Sequence, residues 1–411
     1  MTLQDPGTRS FEPPEPDLTP DELVARAAGL RETLRERQDE CEALGRLPDA
    51  TVRDFIDAGF WRAVQPRRFG GYEFDLATFH RVSQELSRGC PSSGWVYALT
   101  AAHNIIVGMF EEQAQVELFG DGDFRCPLAA MAAPVERVDG GYHVDGWWDY
   151  ASGCDAATHF IGTAAILSEA GELVDTRWFV VRRDQFEIID NWDTLGMRGT
   201  GSRRVVIKDV FVPDHHTVPC FNPMRPIVEL PGRHVHANPM YRGGGPIVPL
   251  LISEVSALAV GIAQAAVDEY IEILTTRHQW GPMSPMRQDL HVFQRLLGEA
   301  TAYVDTAEAT LGQIARTWTA HAERVAAGGP LATDEQERRL VLVEQQVIET
   351  CCRAVDLVFR TSGSSASNKG QRVERYFRDL NMVRTHITLQ HERTWENVGR
   401  LRLGLPPEMP V

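Results

Sequence analysis

The chain has 411 residues, 43% of them hydrophobic and 24% charged, enough to bury a sizeable core and to form two or three domains or layers. Its formal net charge of −16 argues against a nucleic-acid partner, which needs a basic surface to neutralise phosphates. Of the 41 basic residues only Lys208 and Lys369 are lysines, which excludes a wide range of lysine-based mechanisms.

Residues 1–18 are rich in proline and acids and read as a disordered tail. Helix begins at TPDEL, where Thr19 is the N-cap, Pro20 opens the first turn, and Asp21 and Glu22 complement the helix dipole. Helical periodicity runs on through LVARAAGLRETLRERQDECEALG, ATVRDFIDAGFWR, DLATFHRVSQELSRG and an apolar segment from Trp95 to Phe119, so residues 19–122 form an all-helical domain. Residues 123–225 change character. GYHVDGWWDYASG, THFIGTAAIL, TRWFVVRRDQFEIID and RRVVIKDVFVP are short, β-branched and aromatic, and bounded by turn residues, which predicts a β domain. After a Pro/Gly/His-rich connector from Pro219 to Gly245, four long amphipathic segments within 226–411 predict an antiparallel bundle. The expected class is therefore α+β, mainly α.

Several other signals carry little. The cysteines (Cys41, Cys90, Cys126, Cys154, Cys220, Cys351 and Cys352) are odd in number and lack a CxxC spacing. His215–His216 and His234/His236 fall in expected loops without matched cysteine or carboxylate spacing, so no metal site is expected. Gly196, Gly199 and Gly201 do not make a dinucleotide fingerprint, and no Walker A, HExxH or G-x-S-x-G is present. No apolar leader opens the chain. The most apolar stretch, Leu250 to Val267, is interrupted by Glu254, two serines and Gln264, so no membrane span is expected and a cytoplasmic protein is the default.

Three motifs stand on this framework: DTLGMRGTGSRRVVIKDVFVPDH (Asp193 to His215), Arg277 with HQWG, and ERYFRD (Glu374 to Asp379). With the helix–β–helix order they resemble the acyl-CoA dehydrogenase superfamily, over about nine-tenths of the chain. PSSGWVYALTAAHN (Pro91 to Asn104) and GWWDYASGCDAATHFIG (Gly146 to Gly162) are further similar to the group D flavin monooxygenases. That resemblance implies an oxygenase component that takes reduced FMN or FAD from a separate NAD(P)H:flavin reductase, reacts it with O2 and holds a C4a-hydroperoxide until a small aromatic or polycyclic substrate arrives. It also implies a homotetramer, since flavin contacts in the superfamily come partly from a neighbouring subunit.

The resemblance assigns His103, Ser152 and His386 to the catalytic group. Tyr150, Ala151, Ser152, Gly153, Arg277, Ser364 and Ser365 become the cofactor contacts, and Trp95, His103 and Trp280 the substrate contacts. Each also has a plainer explanation. Ser152 can be a turn serine, His103 a satisfied core histidine in the apolar run YALTAAHNIIVGMF, and His386 part of a solvated stripe. Spacing sets Asp379, His386 and Gln390 on one face of a single closing helix. Arg277 suits phosphate oxygens through its forked donors, and TSGSSASNKG (Thr361 to Gly370) suits them through amides and hydroxyls, although a plain interhelical loop has the same composition. PLAAMAAP (Pro127 to Pro134) lacks the hydroxyl that assists phenol binding in the phenol hydroxylases, which argues against 4-hydroxyphenylacetate itself. A dehydrogenase or oxidase would need a glutamate base, and LNMVRTHITLQ, following the Arg-Asp, offers none. N- or S-oxidation remains open within the same branch.

Overall fold

The computed structural model describes residues 11–120, 122–220, 230–389 and 391–408. Its first part holds α1 (Pro20–Gly29), α2 (Arg31–Glu36), α3 (Gln38–Leu44), α4 (Asp49–Asp57), α5 (Leu76–Gly89), α6 (Pro91–Ala101), α7 (His103–Val107) and α8 (Glu112–Phe119). Thr19 caps α1 as its sequence predicts: its hydroxyl accepts from the Glu22 amide while the Glu22 carboxylate accepts from the Thr19 amide. Within the expected tail, residues 11–18 are among those described and are held by neighbours. The Phe11 amide donates to the Arg68 carbonyl, and Glu15 takes a forked pair of bonds from Arg26. Short stretches of acid and proline are held here by neighbours that local composition does not reveal.

Among the described residues eight strands follow: β1 (Leu128–Pro134), β2 (Glu136–Val138), β3 (Gly141–Ala151), β4 (His159–Leu167), β5 (Leu173–Arg182), β6 (Glu187–Ile189), β7 (Arg203–Pro213) and β8 (Thr217–Pro219). They build two four-stranded sheets, ordered β1-β4-β5-β8 and β2-β3-β7-β6. Trp148, Phe160, Phe179, Val205 and Ile207 fill the space between, and the buried Trp148 indole donates to the Thr163 carbonyl of the other sheet.

The helical remainder comprises α9 (Ile247–Thr276), α10 (His291–Ala326), α11 (Asp334–Thr361), α12 (Arg372–Val383) and α13 (His391–Arg402). Helix α9 is long and apolar enough to cross a membrane, but 83% of its apolar window is buried inside the fold, where it packs against α5, α10 and α11. The predicted closing helix is in fact two. Chain direction changes over Arg384–Leu389, and His386 sits in that break rather than on a continuous face with Asp379. The Thr388 amide and hydroxyl both turn onto the His386 ring there, a local alternative to helical bonding that favours the interruption. Gln390 lies outside the described residues.

Candidate active site

Ser152 owes its position to a fault in a strand. Trp148 pairs with Val205 and Ala151 with Arg203, so β3 carries one residue more than β7 across that interval and bulges. Tyr150 absorbs the extra residue with φ of 64°, and its side chain stays exposed against Trp192. Ala151 is buried behind it. Gly153 then turns the chain at φ of 76°, with any Cβ falling 2.6 Å from Val96 of α6, so both conformation and space demand glycine. The result presses the buried Ser152 against α6.

There the Trp95 indole donates to Ser152 Oγ at 2.9 Å. Ser152 Oγ lies 2.7 Å from Ser202 Oγ, Ser202 Oγ lies 2.7 Å from Thr200 Oγ1, and Thr200 donates to the Met197 carbonyl at 3.0 Å. The two ends fix every proton between them. Since the carbonyl can only accept, Thr200 spends its hydrogen on it; Ser202 must then donate to Thr200, and Ser152 to Ser202. Ser152 therefore has no proton left to offer, but keeps one lone pair free.

The same turn, Gly196 to Ser202, is seated on α12. A Cβ on Gly196 would fall 2.4 Å from the Arg378 carbonyl, and the Met197 amide donates to Asp379 Oδ1 at 2.6 Å. Burial raises the Asp379 carboxyl to about 7, against the lowering effect of that amide.

His386 also meets Trp95, ring to ring edge-on at 5.8 Å. The Thr388 amide points at His386 Nδ1, which must accept, so the neutral ring carries its proton on Nε2. His103 is wired the opposite way. Its Nδ1 lies 2.7 Å from the Cys126 carbonyl and must donate, leaving Nε2 as an acceptor. Burial pulls each histidine down to about 4, so both are neutral near pH 7. Neither Nε2 has a hydrogen-bond partner among the described residues. Thus His386 presents a donor and His103 an acceptor. Trp95 joins Ser152 and His386 directly; no hydrogen bond or ring contact among the described residues links His103 to either.

Arg277 ends α9 and donates to Ser365 Oγ at 2.8 Å, within the turn Ser364–Ser367. Arg287, which sequence reasoning passed over, donates to the Ser362 carbonyl at 2.6 Å from the same side. Neither guanidinium has a carboxylate partner among the described residues, and the proximity of Arg277 contributes, after burial, to a lowered Arg287 pKa. Two unneutralised cations beside a serine-rich turn form a phosphate-compatible lip. Trp280 does not join the buried group within this chain. It is 85% exposed on the turn after α9, where its amide donates to Ser284 Oγ.

Residues 24–117 match the acyl-CoA dehydrogenase N-terminal domain and residues 254–391 the acyl-CoA dehydrogenase C-terminal domain. The chain is 32% identical to a pigment production hydroxylase of a Rhodococcus species, over 96% of this chain and all of that one. It is likewise 32% identical to the flavin-dependent monooxygenase oxygenase subunit HsaA of Rhodococcus jostii, over 93% and 98% of the two chains. This chain belongs to the flavin-dependent monooxygenase oxygenase components of the acyl-CoA dehydrogenase superfamily. XiaF from a Streptomyces species, solved with FADH2 and glycerol, superposes with a TM-score of 0.84 at 26% identity, covering 95% and 97% of the chains. The oxygenase works with reduced flavin and O2, and depends on a separate flavin reductase. The residues present fit such a cofactor: a dry polar group around Ser152 and an unneutralised arginine pair are what a ring and its phosphate require.

Sequence reasoning missed Ser202 and Thr200, although both lie inside the GMRGTGS motif. The glycines drew attention, and nothing local indicates that these hydroxyls reach across 50 residues to Ser152.

Proposed function

We propose that this oxygenase hydroxylates a small aromatic or polycyclic substrate, with Ser152 and His386 attending the flavin ring and His103 attending the substrate. Reduced flavin, when bound, activates dioxygen and delivers one of its atoms. Ser152, with its own proton committed to Ser202, accepts an N–H of the reduced ring through its free lone pair. His386 offers its Nε2–H as a hydrogen-bond donor, and His103 accepts a phenolic O–H as a hydrogen bond on its bare Nε2, raising electron density at the attacked carbon. The single observation that carries this assignment is the directed chain Trp95–Ser152–Ser202–Thr200 with His386 edge-on to Trp95.

Tyr150, Ala151 and Gly153 supply backbone beside the ring, and Trp95 closes the substrate side. Arg277, Ser364 and Ser365 take the phosphate end, with Arg287 beside them. The exposed Trp280 and the fully exposed Met283 suit contact with a neighbouring subunit of a homotetramer, which sedimentation would reveal as a fourfold mass. Reduction by NAD(P)H occurs on the partner reductase, through transient or diffusive transfer, and the protein works in the cytoplasm.

Stopped-flow mixing of the photoreduced FMN or FAD complex with oxygen tests the assignment. The expected result is a long-lived absorbing species distinct from both reduced and oxidised flavin. Direct, single-phase reoxidation contradicts it.

A further inference from the structure

We propose that Glu117, His215 and His216 form a binding site for a divalent cation of the zinc class, joining helix α8 to the turn that follows β7. Sequence alone left the two histidines without a carboxylate. The fold supplies one from 98 residues upstream, on the last turn of α8.

Both imidazoles converge on one atom. His215 Nε2 lies 3.0 Å and His216 Nε2 2.6 Å from Glu117 Oε2, and the two rings meet edge to face at 4.7 Å. All three potential donor atoms lie within 4.8 Å of one another. Tetrahedral zinc with bonds of about 2.1 Å sets its ligand atoms roughly 3.4 Å apart, so an ion enters on sub-ångström side-chain movements. Two imidazoles and a carboxylate are a donor set suited to zinc and its first-row neighbours rather than to calcium or magnesium. The carboxylate is already oriented, because Gln113 donates to its other oxygen at 2.9 Å, as outer-shell partners of metal ligands do. The imidazole side chains keep 20% and 16% of their surface and Glu117 keeps 43%, which leaves a face for a water ligand and a route for the ion.

The site shares no residue with the flavin group, so its failure would leave the oxygenase assignment intact. Its function is mechanical: a cation bonded to both elements fastens the first helical part to the end of the β part.

Metal-stripped full-length protein titrated with ZnCl2 by calorimetry tests this, with CoCl2 as a visible probe. One Zn2+ per chain is expected, together with cobalt d–d absorption and a rise in melting temperature. Glu117→Gln, which keeps an acceptor for both imidazoles, should weaken Zn2+ by ~10-fold or more, and His215→Gln/His216→Gln should abolish the cobalt bands. Binding of equal stoichiometry and affinity in wild type and Glu117→Gln overturns the proposal. So does a wild-type protein without cobalt bands, in which case Glu117 is simply a carboxylate bonded to two imidazoles. Should the double variant fail to fold, Glu117→Gln decides alone.

Discussion

Ser152 faces the site as an acceptor because Thr200 and Ser202 leave it no alternative. An oxidised flavin ring offers an acceptor nitrogen where the reduced ring offers an N–H, so this arrangement should favour the reduced cofactor. Ser202→Ala frees the Ser152 proton to turn outward. The ratio of dissociation constants, oxidised over reduced, should then fall by roughly 10-fold, the equivalent of one neutral hydrogen bond at about 1.4 kcal/mol. Ser202→Thr, which keeps the hydroxyl, should restore the ratio. Anaerobic and aerobic flavin titrations read both values, and an unchanged ratio in Ser202→Ala would show that the hydroxyl order is irrelevant.

At the scale of elements, the turn Gly196–Ser202 is fixed to α12 through Asp379, a carboxyl raised to about 7 by burial. An acid whose folded pKa exceeds its unfolded value binds its proton more tightly when folded. Its contribution is therefore fully present below about pH 4 and is lost as pH rises through 7, to a limit of about 4 kcal/mol. Asp379→Asn retains the acceptor for the Met197 amide without the ionisation. Its unfolding free energy, followed by urea between pH 4 and 8, should lack the decline that wild type shows relative to it. Parallel curves would place the Asp379 pKa near that of an ordinary carboxylate. Local sequence was informative here only in part. The cap at Thr19 and the glycines of the turn are short-range signals and stood out; the break at His386 was not legible. The segment from Val373 to Leu401 reads as one helix by its periodicity, and the break coincides with the seating of Thr388 on the imidazole.

For the whole molecule, the succession of helical, β and helical parts followed from periodicity, because amphipathic helices and half-buried strands differ in period along their entire length. The site resisted for the opposite reason. Trp95, Ser152, Ser202 and His386 come from α6, the end of β3, the start of β7 and the break after α12, and no periodicity records which of these ends meet. The resemblance singled out Ser152 and His386; what it lacked was the proton order that makes one an acceptor and the other a donor.

That order is the core of the account, and the coupling of oxygen use to product tests it most directly. With an aromatic substrate that the enzyme turns over, the fraction of consumed reduced flavin recovered as hydroxylated product should be high in wild type. In His386→Ala it should collapse, with hydrogen peroxide accounting for the difference while reduced flavin still binds. Product formation in His386→Ala as tightly coupled as in wild type would contradict the account.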